Sequence, residues 1–112
     1  MSDEPPYSRT REAAGLLFTA GVLGTDESGL AEDVGEQIAL AFANLEALLD
    51  SRGRAGSDVV RLVVYLSDID AIGLVNEAFT RHFAEPRPTR TTVEVSALPF
   101  GAAVELEATA AM

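Results

Sequence analysis

Residues 59–66, Val59-Val60-Arg61-Leu62-Val63-Val64-Tyr65-Leu66, form an apolar, β-branched run interrupted by a single arginine. That composition suits a buried central strand, and a chain with such a strand must build a sheet around it. At 112 residues there is room for one domain, spanning 1–112. Hydrophobic residues, 47% of the chain, are enough to fill one core. A domain this short buries a limited share of its surface, so association between copies is an expected source of further stability.

The segments on either side supply the rest of the sheet and its cover. Residues 1–10 carry two prolines and read as an arm or the approach to a first strand. Leu16 to Val22 suits a strand, and Gly24 to Gly29 has turn composition. Apolar residues at Val34, Ile38, Ala41, Phe42, Leu45, Leu48 and Leu49 then recur with a helical period. Asp33 is placed to cap that helix, with Glu36 completing a capping box, and Gly53 to end it. After the central strand, Asp68 or Asp70 begins a second helix with Ile72, Val75, Phe79 and Phe83 on its inner face. Pro86 and Pro88 prevent that helix from continuing. Thr91–Leu98 and Ala102–Ala108 alternate apolar and polar residues around Pro99-Phe100-Gly101, the pattern of a hairpin. Strand, helix, strand, helix, strand, strand predicts an α+β fold, two helices on one face of a mixed sheet.

Charge narrows the partners. Eighteen acidic residues against eight basic ones give a net charge of −10, a field that repels nucleic acid and anionic membranes and favours solubility. The chain has no cysteine, which excludes disulfides, thiolate metal sites and a cysteine nucleophile. No segment is apolar over a membrane-spanning length and the first residues are acidic, so the expected location is the cytoplasm. An anionic substrate would need a local cation to bind such a protein.

Period-two counting on the last two strands places Val93 and Val95 on one face and Arg90, Thr92, Glu94 and Ser96 on the other. On the partner strand, Val104, Leu106 and Ala108 share the apolar face, leaving Glu105 and Glu107 on the polar one. This reading puts Arg90 and Glu105 together on the face away from the helices. That face is either open to solvent or packed on other subunits, with polar residues lining the clefts between them.

Pro88-Thr89-Arg90-Thr91-Thr92-Val93-Glu94-Val95, Leu98-Pro99 and Val104-Glu105-Leu106-Glu107-Ala108 resemble the C-terminal signature of the RidA/YjgF family. The resemblance continues through Pro6-Tyr7-Ser8, Phe18-Thr19-Ala20-Gly21, Asn44-Leu45, Val59–Asp68 and Val75-Asn76. It implies a chorismate-mutase-like fold in a homotrimer with a β-rich core and sites between subunits. It also implies cofactor-free, metal-free hydrolysis of reactive 2-imino or enamine acids to 2-oxo acids and ammonia, a damage-control task. By the same resemblance Arg90 holds the substrate carboxylate and Glu105 positions a water. Tyr7 and Asn76 line the cleft, and the backbone at Gly21 and Thr92 helps hold the carboxylate. The chemistry is consistent: arginine offers a planar fork of donors to a carboxylate, and a half-buried glutamate can orient water and move a proton.

Three positions depart from the family pattern. Ala20 stands where many deaminase members carry serine, Val22 where glutamine is common, and Thr92 where cysteine is frequent. On their own terms Arg90 is equally a salt-bridge partner for Glu94 or Glu105, and Glu94 and Glu107 are structural or solvent-facing. His82 suits the end of a helix, and Phe100 a contact between subunits. Beside the deaminase stand two alternatives: a pathway-specific deaminase or tautomerase using the same pocket, and a non-catalytic small-ligand binder or holdase.

Overall fold

The computed structural model describes residues 4–112. In chain order its elements are β1 (Thr10–Ala13), β2 (Leu16–Thr19), β3 (Val22–Leu23), β4 (Thr25–Asp26), β5 (Gly29–Leu30), α1 (Val34–Asp50), β6 (Val59–Leu66), α2 (Ile72–His82), β7 (Thr89–Glu94) and β8 (Val104–Ala111). The main sheet runs β1-β2-β8-β6-β7, with β3 also on β8. Only the β6–β7 pair is parallel; every other pairing is antiparallel. The apolar run 59–66 is therefore an interior strand, as its composition predicts. Two helices cover one face of a mixed sheet, the architecture expected from the order of elements.

The core lies between that face and the helices. Leu62, Val64 and Leu66 of β6 and Val104, Leu106, Ala108 and Ala110 of β8 meet Ile38, Ala41, Phe42, Leu45 and Leu49 of α1. Val75, Ala78 and Phe79 of α2 complete it, with Phe83 just beyond the helix. Val34 and Ile72, expected on inner faces, stand at the first turns of their helices and are exposed. Asp33 caps α1 by accepting a hydrogen bond from the Glu36 backbone at 3.1 Å. Gly53 adopts φ +69 where α1 ends, the left-handed conformation its position suggests. Asp68 caps a short 3-10 turn (Ile69–Ala71) that leads into α2. His82 joins the two helices: it stacks on Phe42 and its Nδ1 lies 3.0 Å from Glu46.

Residues 10–13 form an edge strand, and residues 4–9 are the approach to it. Two expectations change. The apolar stretch 16–22 is split at Ala20-Gly21 into β2 and β3, which meet β8 at separate places. The Thr19 hydroxyl bridges the gap by accepting from the Ala108 backbone at 3.0 Å. The last two strands are not a hairpin, because β6 lies between them. The crossover through α2 delivers β7 parallel to β6 on one edge, and β8 takes the other edge.

This pairing also reverses the faces of β7. Arg90, Thr92 and Glu94 lie opposite Leu62, Val64 and Leu66, the residues buried under the helices. The polar residues of β7 thus face the helix side, and Val93 faces outward, 38% exposed. Glu105 and Glu107 occupy the other face of the sheet, alternating with buried Val104, Leu106 and Ala108. Arg90 and Glu105 therefore lie on opposite faces, contrary to the period-two reading.

Candidate active site

The structure divides the expected site residues into two groups. Arg90, Asn76 and Thr92 stand at the β7 edge, where α2 overhangs the sheet. The Arg90 guanidinium donates to Asn76 Oδ1 at 2.7 Å and lies 5.0 Å above the Phe79 ring. Burial destabilises its charged form. Neither carboxylate considered as its partner engages it: Glu94 instead accepts from the Ile69 backbone at 2.9 Å, and Glu105 is on the far face. The described ion pairs do not include Arg90. Beside it the Thr92 hydroxyl is buried with no hydrogen-bond partner among the described residues. A guanidinium held by an amide and an aromatic ring, next to an unsatisfied hydroxyl, is equipped to receive an anion.

The second group surrounds Gly21. A methyl at Gly21 would come within 2.6 Å of Glu105 Cδ, so the absence of a side chain there lets the Glu105 carboxyl lie across the β2–β3 break. Burial raises the pKa of Glu105, and the neighbouring charge of Glu107 adds to the shift. Gly21 also lines a cavity of about 510 Å³ together with Tyr7, Arg9, Ala20, Leu23, Asn44 and Phe100, among others. Asn44 shapes its wall by donating to the Leu23 and Thr25 carbonyls at 2.9 and 2.8 Å. Phe100, 88% exposed at φ +61, reaches the cavity from the Pro99–Gly101 turn. Among the described residues no group of three or more His, Asp or Glu side chains forms a metal ligand set.

Sequence reasoning gave no site role to Phe79, which supports Arg90, or to Asn44, which fixes the cavity wall. Phe79 is an ordinary inner-face helix residue by pattern and becomes distinctive only through its contact with a cation. Asn44 did leave a signal, a polar residue between Phe42 and Leu45 on a buried helix face.

The family described as Endoribonuclease L-PSP matches residues 1–112. A RutC family protein of Pyrococcus abyssi is 36% identical over 108 residues, covering 94% of this chain and 85% of its own. The 2-iminobutanoate/2-iminopropanoate deaminase of Mus musculus is 33% identical over 108 residues, 94% of this chain and 80% of that protein. Among solved structures, RidA from an Antarctic Psychrobacter superposes with a TM-score of 0.92 at 31% identity, covering 99% of this chain and 92% of its own. With its full length matched and its fold reproduced, this chain belongs to the RidA/YjgF family.

Proposed function

We propose that the protein hydrolyses 2-imino or enamine acids to 2-oxo acids and ammonia without a cofactor, at sites shared between copies in a homotrimer. The Arg90 guanidinium, unpaired by any described carboxylate, carries the reading. On a protein of charge −10 it supplies the cation that an acidic substrate requires. The Thr92 hydroxyl or backbone N–H adds a donor to the same carboxylate, and Asn76 holds the guanidinium in place. Glu105 supplies the complementary half. Water adds across the C=N bond while Glu105 relays its proton to the nitrogen. The C–N bond of the carbinolamine then breaks as the hydroxyl proton passes through the same carboxyl to the departing ammonia. The cavity between Tyr7 and Phe100 accommodates the substrate side chain.

One chain cannot bring both halves to one small molecule. Arg90 and Glu105 lie on opposite faces and two strand spacings apart, about 10 Å across the sheet. A cleft between two copies, with Arg90 from one and Glu105 from the other, removes the difficulty. A ribonuclease reading, which the family description invites, fits poorly with the strong net negative charge.

Mixing two inactive variants tests both the chemistry and its division between chains. Arg90→Ala should lose substrate binding, and Glu105→Gln should keep 2-oxo acid binding while losing turnover. Unfolded and refolded together in equal amounts, they should recover about a quarter of wild-type imine hydrolysis, because mixed trimers rebuild one intact site in three. No recovery from a well-assembled mixture, under conditions in which refolded wild type regains activity, would place both residues in the same site of one chain. Wild-type protein that hydrolyses a freshly generated 2-imino acid no faster than buffer would sink the deaminase reading.

A further inference from the structure

Glu105 shares its sheet face with two groups that the hydrolysis described above leaves unused. Tyr65 of β6 lies directly opposite Glu105 in the β6–β8 register. Its hydroxyl nevertheless donates to Oε1 of Glu107, two residues further along β8 on the same face. Glu107 is the leading cause of a raised Tyr65 pKa, so this hydroxyl remains a donor. Glu105, half-buried, receives no side-chain hydrogen bond from either neighbour.

We propose that Tyr65 and Glu107 are positioning residues for Glu105: the tyrosine hydroxyl pins a second carboxylate beside the proton-transfer group while leaving that group unbonded. This deepens the deaminase reading and rests on Glu105 having the role assigned there. The fixed charge of Glu107 makes Glu105 a better proton acceptor than an isolated surface carboxylate and therefore a stronger relay between water and nitrogen. The geometry makes the tyrosine necessary. A glutamate free to swing into solvent would be screened and would act weakly on its neighbour.

Arg61 of β6 faces the same side as Glu105, borders a small cavity with Glu107 and acts on Tyr65. Arg9 and Tyr7 line the larger cavity with Gly21. From β3 the residue opposite Glu105 is Leu23, which carries no charge. Glu107 is thus the nearest like charge along the strand.

The test is a carboxyl-carbon NMR titration of Glu105 in ligand-free protein labelled at glutamate, with the signal identified from Glu105→Gln. Glu107→Gln should lower the Glu105 midpoint, leaving the part that burial raises, and Tyr65→Phe should lower it by less. The acid limb of kcat for imine hydrolysis should move by the same amount in each variant, with KM nearly unchanged. Unmoved midpoints in both folded, correctly assembled variants would overturn the proposal. So would a midpoint that moves while the acid limb of an active enzyme stays in place. Failure of the deaminase reading looks different, because the wild type would then turn over no imine at any pH while the titration shifts persisted.

Discussion

Arg90 lies between an amide oxygen and an aromatic face, and no described carboxylate pairs with it. That surrounding separates its contribution to binding from its contribution to stability. Arg90→Ala should therefore lower kcat/KM by about two orders of magnitude or more, since losing one partner of a desolvated ion pair costs roughly 2–5 kcal/mol. Arg90→Lys should recover part of the loss, keeping charge without the fork. Thermal melts of all three proteins should differ little. Thr92 predicts the opposite balance. Its buried hydroxyl lacks a partner among the described residues, so Thr92→Val should raise stability by about 1 kcal/mol in chemical denaturation and weaken 2-oxo acid binding measured by calorimetry. Glu105 gives a pH-dependent case. Its pKa in the folded protein is raised, so its contribution to stability is fully present below its unfolded pKa and is lost as pH rises through the folded value. Glu105→Gln should melt higher than wild type at neutral pH, and the gap should close as the buffer is acidified below that window. Activity runs the other way, falling on the acid side as the relay becomes protonated.

At the level of elements, legibility followed the strength of the local pattern. The helix α1, the interior strand β6 and the alternation of β8 could be read directly, because each has a sustained apolar period and one dominant buried face. β7 could not, because Thr91-Thr92-Val93-Glu94 has too little apolar contrast to say which side is inward. Its orientation comes from the partner strand, and partners are a property of the assembled sheet. The hairpin expectation failed for a related reason: a turn-like Pro99-Phe100-Gly101 fixes a reversal of direction and leaves open whether another strand lies between. Candidate site residues could be named from the sequence, yet their division between two faces could not, since that division depends on the orientation of β7. Asn44 holds two carbonyls of the β3–β4 bend, so Asn44→Ala should cost about 1–3 kcal/mol in denaturant unfolding. It should also impair turnover more than a substitution at exposed Asp50, because the cavity wall depends on that bend.

For the whole molecule, the isolated chain leaves Phe18, Val93, Tyr7 and Phe100 exposed around its sheet and its larger cavity. Apolar surface of that kind is suited to burial against other copies. Sedimentation equilibrium at micromolar concentration should return three chain masses, and the melting temperature should rise with protein concentration. No described helix is long and apolar enough to cross a membrane. The placement of Arg90 and Glu105 on opposite faces has a further result that would be visible in genetics. A chain that lends one half to each of two sites damages both when it is defective. Coexpressed at equal levels with the wild type, an Arg90→Ala, Glu105→Gln double variant that still assembles should leave about a quarter of the sites intact rather than half. Such an allele would be partly dominant, whereas one that prevents folding would be recessive because it never enters an assembly.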